Sequence, residues 1–282
     1  MSDVIDIDDE QLEIQLFLEA IYRKYGYDFR EYSVAHTRRR LEYRRALEGM
    51  TNYSQMQHKV IYDPRFFEQI LLDLSINVTE MFRDPWFYKK VREIVLPHLH
   101  TYPFVKIWHA GCSAGQEVYS MGILLEEEGM TSRAQLYATD FNEAILEKAQ
   151  KGIYPMDLVR QYTTNYQAAG GINSFSDYYT ADYDHVIMQS RLRERVLFTP
   201  HNLATDGVFG EMNVIFCRNV LIYFNRELQN KVFQLFYDSL VPGGFLCLGS
   251  KESLRFADVA DKFELVSERE KIYRKKRSAL NV

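Results

Sequence analysis

Apolar residues recur at helical spacing through the first hundred positions of the chain. Leu12, Leu16, Ile21 and their neighbours form one stripe, which Gly26 ends. A second helix is predicted from Val34 to Gly49. Asn52 has the chemistry of an N-cap for a short third helix, and Pro64 stands where a first-turn proline would open a fourth. Asp84-Pro85 repeats that signal ahead of a helix over Trp86 to Leu99, whose end Pro97 is expected to fray. No strand pattern precedes Val105, and no internal repeat is present.

At Val105 the periodicity changes. VKIWHA (Val105 to Ala110) is a short apolar run that ends in Gly111-Cys112-Ser113-Ala114-Gly115, and a helical stretch follows from Gln116 to Glu128. Gln135 to Thr139 reads as a second strand ending in Asp140, followed by a helix over Asn142 to Gln150. Asn213 to Cys217 is another strand and Asn225 to Leu240 another helix, and Pro242-Gly243-Gly244 is a turn before a strand at Phe245 to Leu248. Strands alternating with such helices indicate βαβ units and a parallel sheet, so this part reads as an open α/β domain. Residues 170 to 194, rich in Tyr and Ser with weak two-fold alternation, break the pattern and are expected to insert a small antiparallel hairpin or meander.

Composition narrows the setting. A length of 282 residues fits one large domain or a small one joined to a larger, and 46% hydrophobic with 26% charged residues provides for a full core. A net charge of −5 argues against general nucleic-acid binding. Three cysteines without metal spacing read as small buried thiols of a reduced, cytoplasmic protein. The start MSDVIDIDDE is acidic where a signal peptide would be basic and then apolar. No apolar run reaches the roughly 18 residues of a membrane span. His185 and His201 have no acid or cysteine at ligand spacing, so no metal site is expected and both read as surface or cap residues.

The glycine-bearing loop at 111 to 115 would let backbone approach a ligand, with the N–H groups of the next helix favouring negative charge. It is neither GxGxxG nor a P-loop, and an ordinary βα turn explains it equally well. Asp140, at the end of the second strand, can hold the two hydroxyls of a ribose in the crevice where open α/β sheets bind ligands, or simply cap the following helix.

Other stretches decide among these. SINVTEMFR (75 to 83), WHAGCSAGQEVYS (108 to 120), HNL (201 to 203), FCRNVLIYF (216 to 224), PGG and GSKE (249 to 252) occur in that order, and together they resemble the CheR methyltransferases. The resemblance implies a helical N-terminal domain over 1–75, a linker and connecting helix over 76–104, and a Rossmann-like class I methyltransferase domain over 105–282 with an inserted antiparallel β-subdomain. It implies S-adenosyl-L-methionine as cofactor, S-adenosyl-L-homocysteine as product, and methylation of glutamate side chains on bacterial chemoreceptors. Asn77, Thr79 and Arg83 would then close over the cofactor, Gly111 and Glu117 line its methionine side, and Asp140 hold the ribose. Asn202, Leu203, Asn219 and Val220 would contact the adenine, and Tyr223 would sit near the transferred methyl. Arg83 and Tyr223 are the expected catalytic residues, Arg83 by orienting the acceptor carboxylate with its planar fork; plain packing is the competing reading for Tyr223. Gln116 and Val118 depart from the family's usual Glu and Pro.

Five arginines, Arg38, Arg39, Arg40, Arg44 and Arg45, crowd residues 36 to 45. A solvated face and a DNA-recognition helix are open readings; the resemblance implies a third, docking of acidic chemoreceptor helices, with recruitment to membrane receptor arrays. The insert has no glycine after Gly171, and the grip on a receptor C-terminal peptide that some family members use is therefore not expected. The basic run Arg274 to Arg277 reads as a solvated tail.

Overall fold

The computed structural model describes residues 8–75 and 79–277, which divide into two units: the N-terminal helices with Tyr223–Gln229, and the remainder. The first unit holds α1 (Asp9–Tyr25), α2 (Val34–Leu47), α3 (Tyr53–Tyr62) and α4 (Pro64–Leu74). Asn52 caps α3 by accepting the Gln55 N–H, and Asp63 caps α4, with Pro64 at its first turn. The face of α1 differs in part from expectation: Ile21 is buried as predicted, but Leu12 and Leu16 are exposed, and Ile14, Phe17 and Leu18 complete the buried face. Both sets have helical spacing, and packing of α1 on α3 selects the second. Phe66, Phe67, Ile70, Leu71 and Leu74 of α4 complete this core, each buried side chain contributing roughly 1.5–3 kcal/mol.

The second unit opens with α5 (Pro85–Lys90) and α6 (Leu96–Leu99), joined without a break by a π-turn over Val91–Val95. Pro97 therefore does not fray the helix: the wider turn absorbs its missing N–H and the clash of its ring with the preceding turn. There follow β1 (Val105–Ala110), α7 (Gln116–Glu127), β2 (Ala134–Asp140), α8 (Glu143–Lys151), β3 (Ile153–Pro155) and α9 (Val159–Ala168). The chain continues through β4 (Tyr179–Asp182), β5 (His185–Met188), α10 (Ser190–Arg193), β6 (Val196–Pro200), β7 (Met212–Cys217) and α11 (Arg226–Ser239). It ends with β8 (Leu240–Leu248), β9 (Phe263–Ser267) and β10 (Ile272–Lys275).

Seven strands form one sheet in the order β6-β2-β1-β7-β8-β10-β9. β6, β2, β1, β7 and β8 are mutually parallel, and β10 runs antiparallel to both of its neighbours. The order reverses between β1 and β7, which makes the carboxyl ends of β1, β2 and β7 the crevice for a ligand. β7 is buried along its length and β1 nearly so, as a strand covered on both faces must be. Pro242-Gly243-Gly244 is no turn between elements; β8 passes through it, and the β7–β8 register shifts between Met212 and Val214 to take up the irregularity. The RKKR run is not a tail either: Arg274 and Lys275 belong to β10, and Lys275 Nζ donates to the Tyr237 and Leu240 carbonyls, both at 2.7 Å.

A second, antiparallel sheet, β3-β5-β4, is the inserted subdomain. It takes β3 from upstream of the stretch in which it was expected. Glu127 at the end of α7 anchors it: its carboxylate receives Arg92, the Tyr166 hydroxyl, the Tyr178 hydroxyl (3.0 Å) and the Ile172 N–H (3.2 Å). Two tyrosines thus contribute apolar bodies to the core and hydroxyls to one carboxylate, a use for the tyrosine-rich composition. All three cysteines are buried thiols. Among the described residues no helix is long and apolar enough to cross a membrane, and no three His, Cys, Asp or Glu gather as a metal site.

Candidate functional site

The loop after β1 is built from unusual backbone. Gly111, Ser113 and Gly115 all have positive φ, and the Gly111 and Cys112 N–H groups both donate to the Thr139 carbonyl of β2 at 2.8 Å. Gly111 is required twice over: its φ is +74°, and a Cβ there would stand 2.6 Å from Cγ2 of Val220. The glycine loop and the segment after β7 are therefore in close contact, and two of the expected cofactor residues meet.

Asp140 lies at the end of β2, 7% exposed, with no lysine or arginine paired to it among the described residues. Its carboxylate accepts the Ser113 N–H at 3.0 Å and the Asn142 N–H at 3.1 Å. Burial pushes its pKa up, against the pull of the Asn142, Ser113 and Phe141 N–H groups. The capping role left open for Asp140 belongs to Asn142, whose side chain accepts from the Ala144 and Ile145 N–H groups of α8. A carboxylate has about four acceptor sites, so capacity remains here for hydroxyl donors. These residues fit the ribose of a nucleoside cofactor. The HNL segment attaches at the same point, the His201 N–H donating to the Asp140 carbonyl at 3.2 Å. His201 is not a surface residue: it is 8% exposed and packs edge-on against Trp108 and Phe209. Leu203 is buried beside it in sequence, and the Asn202 side chain accepts the Ala204 N–H.

Glu117 does not stand open at the start of α7. Its two oxygens take His109 Nδ1 at 3.0 Å and Arg218 Nη1 at 3.1 Å. Burial alone would push this carboxyl up, but the His109 hydrogen bond and the Arg218 charge outweigh it and hold the pKa below the ordinary value. Arg218 has a side chain only 2% exposed, reaches Asp84 at 2.7 Å, and lies 4.0 Å over the Phe87 ring. Burial opposes its charge, and Glu117, Tyr88 and Asp84 more than restore it, raising the pKa.

Arg218 also reaches the carbonyl of Arg83, with both terminal nitrogens at 3.4 Å. Arg83 is flanked by Phe82 and Asp84, both in the left-handed region at φ 52° and 59°, and the Phe82 N–H donates to Ser120 Oγ at 2.9 Å. Of the six non-glycine residues with positive φ among those described, Phe82, Asp84, Ser113 and Asn219 fall in these loops. Tyr183 and Lys271, the other two, sit in hairpin turns. Strain of this kind persists where surrounding contacts over-determine it and marks functional segments. Thr79 is half-buried at the start of this segment, and Asn77 lies outside the described residues.

Glu252 of the GSKE stretch, to which no role was assigned from sequence, is 4% exposed and accepts four backbone N–H groups. Those of Asn219, Val220 and Leu221 belong to the segment after β7, and that of Gly249 follows β8. Arg218 went equally unassigned, although both residues lie inside motif stretches. Tyr223 groups with the helical unit, where its ring meets His36 edge-on at 5.3 Å and its carbonyl accepts the Ser33 N–H at 2.8 Å.

In α2 the five arginines are not equivalent. Arg44 is held by Asp73 at 2.5 Å and by Glu48, and Arg45 donates to the Thr51 carbonyl and covers the Tyr53 ring. Arg38 lies 3.3 Å from Glu10 and 3.5 Å from Asp8, whereas Arg39 and Arg40 have no acidic partner among the described residues. Arg39 is exposed.

This strand order, a strained loop after β1 and a buried acid at the end of β2 define a nucleoside-binding domain of the Rossmann-like methyltransferase class. Residues 77–272 match the CheR methyltransferase SAM binding domain and residues 12–75 the CheR methyltransferase all-alpha domain, and the chain belongs to the CheR methyltransferase family. Its cofactor is S-adenosyl-L-methionine.

Among its relatives, the candidate methyltransferase Cher3 of Pseudomonas putida is 50% identical over 264 residues, covering 94% of this chain and 97% of that protein. The chemotaxis protein methyltransferase of Vibrio anguillarum is 33% identical over 68% of this chain and 70% of its own length. That of Listeria innocua is 26% identical over 88% and 92%. Solved structures align over shorter stretches: PKMT2 of Rickettsia typhi in complex with AdoHcy has TM-score 0.31 and 13% identity over 52% of this chain and 21% of its own. YjhP of E. coli has TM-score 0.34 and 14% identity over 62% and 52%, and neither likeness bears on the assignment.

Proposed function

We propose that this chain methylates glutamate side chains of bacterial chemoreceptors, forming glutamate methyl esters for chemotactic adaptation. The observation that carries the reading is Arg83, held between two left-handed residues and tied through Arg218 to Glu117. The planar fork of the Arg83 guanidinium suits an acceptor carboxylate, matching both of its oxygens. Relatives named as chemotaxis protein methyltransferases support an acceptor in the chemotaxis system.

The cofactor supplies a methyl group already activated by its sulfonium. A glutamate side chain in water titrates near pH ~4.3 and is ionised at neutral pH, so no general base is needed. The side chains then act by placement. Asp140 accepts from the ribose hydroxyls, Asn202, Leu203, Asn219 and Val220 face the adenine, and Gly111 gives the backbone close approach. Glu117, with both oxygens engaged, fixes the start of α7 toward the methionine end. Asn77, Thr79 and Arg83 close over the cofactor, and Tyr223 shapes the methyl slot.

Arg38, Arg39 and Arg40 form the docking face for acidic receptor helices, steering the encounter at long range. Arg44 and Arg45 support α2 from within. The insert is not proposed to tether a receptor tail.

The test is transfer of labelled methyl from S-adenosyl-L-methionine to membranes containing cognate receptors, followed by alkaline treatment. Base-labile label on receptor glutamates is the expected result. Cofactor binding with unlabelled receptors would move the function to another acceptor.

A further inference from the structure

A buried carboxylate ordinarily has a cation beside it or pays heavily in lost hydration. Among the described residues Glu252 has no lysine or arginine partner and is met only by backbone: its Oε1 accepts the N–H groups of Val220 (2.8 Å) and Leu221 (2.7 Å), and its Oε2 those of Asn219 (2.9 Å) and Gly249 (2.5 Å). Three consecutive N–H groups converge on one carboxylate because Asn219 is left-handed, at φ 62°. The turn that brings Glu252 there has no slack. A Cβ on Gly249 would stand 2.8 Å from both the Asn219 nitrogen and Glu252 Oε2. On the far side Val220 abuts Gly111 with no room for a methyl group between them. Asn219 and Val220 are therefore clamped between the glycine loop after β1 and a carboxylate donated from after β8.

We propose that Glu252 is a positioning residue for cofactor binding: it holds Asn219 and Val220 in register against the glycine loop and so sets affinity for the adenosine end of the cofactor. This rests on the reading of Asn219 and Val220 as adenine-facing. Glu252 touches no ligand itself and acts through the three N–H groups it orders. Among side chains of its length only a carboxylate offers acceptors at both ends; an amide at Glu252→Gln turns a donor toward two of the four N–H groups.

The experiment is calorimetric binding of S-adenosyl-L-homocysteine and of adenosine to the full chain, with thermal unfolding of each variant measured alongside. Glu252→Gln is expected to fold and to lose affinity for both ligands by a similar factor of about ten or more. Asn219→Gly, which keeps the left-handed backbone and removes the carboxamide, tests the premise in the same assay. If Asn219→Gly weakens binding while Glu252→Gln lowers only the melting temperature, Glu252 is structural and the proposal falls with the adenine reading intact. If Asn219→Gly binds as the parent does, the adenine reading falls and takes the proposal with it. Should Glu252→Gln fail to fold, Gly249→Ala keeps the carboxylate and displaces the clamp; unchanged affinity in that variant overturns the proposal.

Discussion

Replacing Arg218 by Met isolates the buried charge network. Met approximates the length of the arginine stem, so packing over Phe87 is largely kept while the guanidinium is lost. What remains is Glu117, pressed between His109 and an empty position, and Asp84 without its 2.7 Å partner. Breaking a buried pair by removing one member costs about 3–5 kcal/mol, most of it the stranded charge. For a unit of this size each kcal/mol lowers the melting temperature by about 2–4 °C, so the expected drop is roughly 6–20 °C. Urea and thermal unfolding followed by far-ultraviolet circular dichroism give both quantities. Adding Glu117→Gln should recover part of the loss, because the amide no longer needs a counter-charge. A single variant within about 1 kcal/mol of the parent would show that water screens these groups and would refute the network as a determinant of stability. Strict additivity in the double variant would equally refute the coupling.

Asp140→Ala should abolish binding of S-adenosyl-L-homocysteine by calorimetry without unfolding the protein; retained affinity would sink the ribose role. Glu117 has a folded pKa below its unfolded value, so it stabilises the protein fully above the unfolded carboxylate range and less as pH falls through the folded pKa. Acid unfolding of Glu117→Gln should accordingly show a flatter slope below about pH 4.3 than the parent, and parallel slopes would refute the shift. Charge reversal at Arg39 and Arg40 should slow receptor methylation, most at low salt, with cofactor affinity unchanged. An unaltered rate would remove docking from α2.

What could be read in the chain was what local chemistry encodes. Asn52, Asp63-Pro64 and Asp84-Pro85 signal helix starts through side chains adjacent in sequence, and β1 and β7 announce themselves as apolar runs because they are buried on both faces. β6 and β9 were not legible: they lie at the two edges of the sheet, half wet, and their residues alternate too weakly to declare a period. β3 is three residues long, and only pairing with β5 makes it a strand. The face of α1 could not be chosen between two sets of equal spacing until α3 was in place. In the site, Asp140 and Gly111 were visible because one ends a strand and the other directly follows one. Glu252 and Arg218 were not, since three of the four N–H groups on Glu252 lie 31 to 33 positions away, the partners of Arg218 lie 101 to 135 positions away, and no local rule links an acid to N–H groups in another loop. Arg44 was occupied for the same reason: its partner Asp73 is 29 residues downstream.

The last strand of the sheet, β10, is not at its edge. It is inserted between β8 and β9, with Ile272 fully buried and Tyr273 nearly so. On the ribosome β9 emerges first and has no place to pair until the residues of β10 clear the exit tunnel. The sheet therefore cannot close progressively during synthesis, and a chain halted between these strands would present the open edge of β8 to the proteases and chaperones of the cell.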